Sequence, residues 1–260
     1  MESEILFSRK EQYGAVCGEI TLNRPDKGNA LTMRMLGELD SIVSEIKRDR
    51  ELRAIVIRGR GRFFCTGGDI EEWGALSPEE MGRDWIPYGI DVFGRLAELP
   101  QPVIAAVSGH AIGGGLELAL AADLRIAVKA AKFSSPEVTL GIISGWMGIR
   151  RLAEMVGAAR ARHLMLLGTP VTAEVALEWG LITALANDAE DLERQLSNWL
   201  ERLCANAPAA MALTKGILAT VHADLREDHA SAAAQALATE DCKEGVRAFR
   251  EKRKPVYRNR

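Results

Sequence analysis

Apolar and polar positions divide the chain into two regimes. In the first, short apolar runs alternate with loops that carry glycine and proline. AVCGEITLN (15–23) alternates loosely and is rich in β-formers, which predicts a strand. RAIVIRG (53–59), VIAAVSG (103–109) and LRIAV (124–128) are short apolar runs and predict buried strands. Leu36, Leu39, Val43 and Ile46 recur at helical spacing, so one face of 33–48 is expected to be buried, with Thr32 as its cap. Residues 78–98 keep a helical pattern interrupted at Gly82, Pro87, Gly89 and Gly94, which suits a mobile or substrate-shaped segment. The recurrence of strand, loop and helix predicts an α/β core with parallel pairing.

From about residue 146 the pattern turns mostly helical. MGIRRLAEMVG, AARARHLMLLG and TAEVALEWG end at Gly157, Gly168 and Gly180, where a helix should stop. A long helical run is expected from 189 to 253. Its part beyond about 200 reads as an appendage packed on the core or on a neighbouring subunit. There is no tandem repeat and no disordered linker.

Composition narrows the class. The 260 residues are 47% hydrophobic and 27% charged, ordinary for a globular chain long enough to bury a substantial core. The net charge of −3 gives no general attraction to nucleic acid or to anionic membranes. Aromatic and basic residues do not interleave as RNA binding would require. Cys17, Cys65, Cys204 and Cys242 form no CxxC pair and read as reduced thiols. The four histidines are scattered, so no metal site is expected. The N-terminus lacks a signal or transit pattern and no run suits a membrane span, so a soluble cytoplasmic protein is expected.

The chemistry gathers around GHAIGGGLELALAAD (109–123). Glycines before a helix suggest a phosphate cradle. Residue identity removes that reading: position 118 is Leu where a dinucleotide fingerprint needs Gly, and Leu116 and Glu117 stand where a P-loop needs Lys and Ser/Thr. What remains is a close backbone approach at Gly113–Gly115, free N–H groups at a helix start, and a carboxylate at Glu117. FFCTGGDI (63–70) offers a second glycine loop at Gly67 and Gly68, and FSSPEVTLG (133–141) places Glu137 after Pro136. Two exposed amides and two glutamates suggest acid–base work on a polarised carbonyl compound. Each piece also has a plainer explanation. Glu117 could only favour a helix N-terminus, worth ~0.3–1 kcal/mol, Asp69 could cap the next helix, and Trp146 could be core.

Six segments in order, NRPDKGNAL, FFCTGGDI, VSGHAIGGGLELALAADLRIA, FSSPEVTLGI, GTPVTAEVALEWGLI and EGVRAFREKRKP, resemble the enoyl-CoA hydratase/isomerase (crotonase) superfamily. The resemblance implies an α/β fold, a crotonase-like spiral of ββα units (1–199) with a C-terminal helical oligomerisation segment (200–260). It implies an acyl-CoA thioester substrate, no cofactor beyond the coenzyme A of that substrate, and a homotrimer or homohexamer. Gly68 and Gly114 match the family's oxyanion hole, and Glu117 and Glu137 match the paired glutamates of its hydratases. Lys27, Ala30, Thr66, Asp69 and Ile70 match positions along CoA. Ile112, Gly113, Pro136, Trp146, Phe249 and Lys252 complete the implied CoA and acyl contacts. Retention of both glutamates favours hydration of a trans-2-enoyl-CoA, as in fatty-acid β-oxidation. A related isomerase or a carnitinyl-CoA-like dehydratase is the alternative.

Two departures stand out. Gly68 replaces the family's common alanine, which a backbone donor tolerates. ISGWMG (143–148) replaces a Pro-Gly-Ala-Gly-Gly-like run and puts bulky Trp146 and Met147 near the acyl group. The basic cluster Arg247, Arg250, Lys252, Arg253 and Lys254 is open to two readings, a solvated helix end or contacts to CoA phosphates.

Overall fold

A computed structural model describes residues 3–219, 230, 233–235, 237–253 and 255. Ten strands form two sheets. β1 (Ile5–Gln12), β2 (Ala15–Leu22), β3 (Leu52–Gly59), β5 (Val103–Val107), β7 (Leu124–Val128) and β10 (Ala184–Ala186) make the six-stranded sheet, in that spatial order. β4 (Phe63–Cys65), β6 (His110–Ile112), β8 (Lys132–Ser134) and β9 (Val171–Thr172) make the four-stranded one. From β3 to β8 the chain alternates between the sheets, and helices follow β4, β6 and β8: a spiral of ββα units, as the sequence led us to expect. Pairing is parallel except at β1–β2 and β8–β9.

The expected strands at 15–23, 53–59, 103–109 and 124–128 are β2, β3, β5 and β7. The sequence reading missed β1, β10 and the whole second sheet. β4, β6 and β8 have three residues each, too few to show a period. β1 is mostly exposed and polar, and its one clear signal is the tight turn at Tyr13–Gly14, both at positive φ.

The helix Met33–Arg48 follows its pattern. Thr32 Oγ1 accepts the Met35 N–H at 3.1 Å, and Leu36, Leu39, Val43 and Ile46 are fully buried. Each such side chain contributes roughly 1.5–3 kcal/mol by leaving water. Gly157, Gly168 and Gly180 all take positive φ at helix ends, as expected. The interrupted segment 78–98 resolves into a single turn Pro78–Glu80, a π-helical stretch Met81–Trp85 and the helix Ile86–Ala97. Pro87 sits in the first turn of that helix, at its junction with the π-helical stretch.

The helical run expected from 189 to 253 is divided. The helix Ala189–Ala205 lies on β3, β7 and β10, so position 199/200 falls inside a helix that covers the sheet. Pro208–Ala219 follows. The helix Glu240–Arg250 packs on the turn Glu137–Leu140 so closely that a Cβ on Gly245 would lie 2.4 Å from the Leu140 carbonyl oxygen. The C-terminal segment thus supports the turn that carries Glu137. Residues 220–229 of the expected run lie outside the described residues.

Two buried polar side chains tie the glycine loops to the sheets. Asn29 is fully buried at φ +57°. Its Nδ2 donates toward the carbonyls of Arg60, Phe63 and Phe64 at 2.9, 2.9 and 3.2 Å, and its Oδ1 accepts the Arg24 N–H. Arg125, on β7, donates to the carbonyls of Ala119, Ala122 and Leu181, closing the C-terminal end of the helix Gly114–Leu120. Burial pulls its pKa down to about 10. We expect Asn29→Ala to lower the free energy of unfolding by about 3 kcal/mol, because buried carbonyls lose their donor and alanine resists positive φ. Urea denaturation measures this, and a loss within error of zero would remove Asn29 from that role.

Candidate active site

The two glycine loops meet because their backbones can touch. The Gly28–Leu31 turn runs beside the 66–69 loop, with Thr66 N–H on Gly28 O, Leu31 N–H on Gly67 O and Asp69 N–H on Leu31 O. Those bonds fix the chain on either side of Gly68. The helix Gly114–Leu120 seats on β4 at Gly115, where a Cβ would lie 2.2 Å from the Cys65 carbonyl oxygen. Gly113, at φ +55°, turns the chain from β6 into that helix. A Cβ on Gly114 would lie 3.3 Å from the Gly68 nitrogen, so the two loops adjoin. Among the described residues neither the Gly68 nor the Gly114 N–H has a hydrogen-bond acceptor. Two free donors side by side can hold one oxygen that gains negative charge.

Glu117, one turn along the helix, is 4% exposed. Its Oε1 accepts the N–H groups of Trp146 and Gly148, both at 2.7 Å. Both can reach one oxygen because Met147 between them is left-handed, at φ +70°, which folds the segment into a backbone nest. Gly148 must lack a side chain there, since a Cβ would lie 2.5 Å from Glu117 Oε1. Glu137, at the start of the turn after β8, is 9% exposed and its Oε2 accepts the Ser135 hydroxyl at 2.7 Å.

Burial raises the pKa of both carboxyls. For Glu117 it is opposed by Ser144, by the two N–H donors and by the Arg151 guanidinium. For Glu137 it is reinforced by the negative charge of Glu117, and the value is pushed up to about 7. Glu117 is therefore the better-solvated of the two as an anion, and Glu137 is the one biased toward its protonated form.

A cavity of about 90 Å³ joins these groups. Gly68, Gly114, Glu117 and Glu137 line it, as do Thr66, Ile112, Gly113, Pro136 and Trp146 from the sequence-derived set. Met81, Trp85 and Ile86, from the segment 78–98 expected to be substrate-shaped, also line it, and so do Trp73 and Ala233, which were not anticipated. Gly89, one of two glycines inside the helix Ile86–Ala97, was a sequence signal that something bulky approaches there. Lys27, Ala30, Asp69, Ile70, Phe249 and Lys252 do not line the cavity. Lys27 and Ala30 lie on the turn bonded to the 66–69 loop. Asp69 caps the helix Ile70–Trp73 through the Glu71 N–H and pairs with Arg24. Phe249 is exposed at the end of the helix Glu240–Arg250, and Lys252 is exposed just past it. In the basic cluster, Arg247 and Arg253 bond to Glu244, and Arg250 lies 3.3 Å from Glu71. Lys254 lies outside the described residues. No group of three or more His, Cys, Asp or Glu side chains able to hold a metal occurs among the described residues. No helix among them is long and apolar enough to cross a membrane.

Two adjoining free amides facing two buried carboxylates, on a ββα spiral, define a site of the crotonase class. The chain belongs to the enoyl-CoA hydratase/isomerase family, whose model matches residues 11–260. It is 36% identical over 252 residues to a probable enoyl-CoA hydratase of Bacillus subtilis, covering 95% of this chain and 96% of that one. It is 37% identical over 262 residues to the short-chain-enoyl-CoA hydratase of Clostridium acetobutylicum, covering 98% and 97%. The crystal structure of a carnitinyl-CoA hydratase from Mycobacterium avium superposes over the whole of both chains with a TM-score of 0.84 at 33% identity.

The mutual influence of the carboxyls is open to direct test. In Glu117→Gln the charge that raises Glu137 is gone, so Glu137 should titrate below about 7 while burial keeps it above the ordinary range. Carboxyl ¹³C NMR titration reads the midpoint. An unchanged midpoint would show that the two groups do not interact.

Proposed function

We propose that this protein adds water across the double bond of a trans-2-enoyl-CoA to give a 3-hydroxyacyl-CoA. The observation that carries the reading is the pair of inequivalent buried glutamates beside two free N–H donors. The thioester oxygen lies between the Gly68 and Gly114 amides, which stabilise the enolate as it forms. Each such donor contributes about 2.7–4 kcal/mol to transition-state stabilisation. Glu117, ionised and fixed by the nest, takes a proton from water as its oxygen bonds to C3. Glu137, protonated near neutrality, gives its proton to C2. Water leaves one proton on Glu117 and Glu137 loses one, so a proton exchange between the site and solvent restores the starting state.

The rest of the reading concerns the whole substrate. CoA runs past Thr66 toward Lys27, Ala30, Asp69 and Ile70, and Phe249 and Lys252 meet its outer part. The exposed positions of Lys27 and Lys252 support this. No cofactor beyond the CoA of the substrate enters the chemistry. A homotrimer or homohexamer in the cytoplasm, serving fatty-acid β-oxidation, belongs to the same proposal. Apolar side chains left exposed at Ile149, Leu166 and Leu167 support assembly. A second reading, dehydration of a hydroxyacyl-CoA of the carnitinyl type, draws support from the fold match to the carnitinyl-CoA hydratase and uses the same two carboxylates in reverse.

Loss of the conjugated thioester absorbance in a panel of trans-2-enoyl-CoAs tests the reading. Glu117→Gln and Glu137→Gln should each lower kcat by roughly 10²–10⁴. Turnover unaffected by both changes would overturn the mechanism. The pH profile supplies a second check. Because Glu137 must hold its proton, kcat/KM should fall as pH rises through about 7. A profile flat from pH 6 to 9 would assign the acid elsewhere.

A further inference from the structure

We propose that Trp146 closes the acyl end of the cleft and restricts the substrate to short acyl groups, of about four to six carbons. This rests on the acyl-CoA reading of the site and specifies its substrate class.

The indole sits against both oxyanion loops. A Cβ on Gly114 would lie 2.6 Å from its Cζ3, and one on Gly68 would lie 3.5 Å from its Cη2. The ring is held from several sides. Its N–H donates to the Trp85 carbonyl at 3.3 Å, Phe93 meets it edge-on at 5.3 Å, and the Trp85 ring lies 5.5 Å away. It is 3% exposed, so packing surrounds it on all sides but the one that faces the cavity.

Its seat is cut into a neighbouring helix. A Cβ on Gly89 would lie 2.2 Å from Trp146 Nε1. Glycine inside a helix is unfavourable, and here its missing side chain is what admits the indole. The wall is also coupled to the catalytic base. The Trp146 N–H that bonds Glu117 belongs to the residue whose ring blocks the cleft, so the backbone cannot swing aside without releasing that carboxylate.

The space left is small. The cavity holds about 90 Å³, and one water needs ~10–15 Å³ by the same kind of measure, so roughly six to nine water-sized groups fit, the thioester and the reacting water among them. Trp85, Met81, Ile86 and Leu140 close other sides. A longer tail must either displace the indole or remain in water.

The test is a binding series with saturated acyl-CoAs of 2, 4, 6, 8 and 10 carbons, measured by isothermal titration calorimetry. These ligands cannot be hydrated, so the series reads the pocket independently of turnover. Each methylene that enters the pocket should tighten binding about fourfold. In the wild type the gain should stop at about six carbons. In Trp146→Ala and Trp146→Leu, checked for native circular dichroism, it should continue for at least two carbons more. A steady gain to ten carbons in the wild type overturns the proposal, even if neither variant folds. So does an unchanged break in a folded variant. A break near six carbons without hydration of any enoyl-CoA would sink the hydratase reading and leave the size limit standing. Hydration of crotonyl-CoA with a steady gain to ten carbons would do the reverse.

Discussion

The site depends on keeping one carboxylate charged where water is nearly excluded. An isolated buried anion is costly and would take up a proton. Glu117 is kept ionisable by two N–H groups converging on one oxygen, with Ser144 and Arg151 adding to them. That convergence constrains its neighbours. Met147 must take a left-handed conformation unusual for a residue with a side chain, and Gly148 must have none. Glu137 has only the Ser135 hydroxyl and its own backbone N–H to oppose burial and the charge of Glu117, which together raise its pKa to about 7. One buried charge therefore makes two chemically identical side chains inequivalent, which is what the proposed division into base and acid requires.

The two-sheet spiral explains how such a site is assembled from distant segments. Alternation between sheets places the 66–69 loop and the start of the helix Gly114–Leu120 at the same end of adjacent ββα units. Parallel pairing of β4 with β6 sets them side by side. Gly115 allows the final approach, and Arg125 anchors the other end of the helix. The Gly114 amide is free because it opens a helix, and the Gly68 amide because it lies in the loop between β4 and the helix Ile70–Trp73, outside either hydrogen-bond ladder. The turn carrying Glu137 is backed by the helix Glu240–Arg250, more than 100 residues further on.

The candidate catalytic set was legible because it is local. Gly68, Gly114, Glu117 and Glu137 each lie in a short segment of distinctive residue order. The helix Met33–Arg48 and its Thr32 cap were legible for a related reason: sixteen residues give four turns of period and a side chain with one evident partner. Asn29 and Arg125 were not legible as structural anchors. Their partners are carbonyls, which carry no residue identity, and several lie 30 or more positions away. The aromatic wall was half visible. Trp146 stood out as a departure, but its contacts with Gly89 and Phe93 join segments more than 50 residues apart.

The sequence by itself determined the chemistry: which groups are present, that two amides and two carboxylates are available, and that the core is α/β with parallel strands. These follow from residue type and short-range period, which any chain of this order carries before it folds. Only the tertiary structure decided which glutamate is the better-solvated anion and how much room the cleft leaves. Both depend on burial and on neighbours from other elements. A pKa is set by the dielectric and charges around a group, and a pocket by what stands opposite, neither of which is encoded at the position itself.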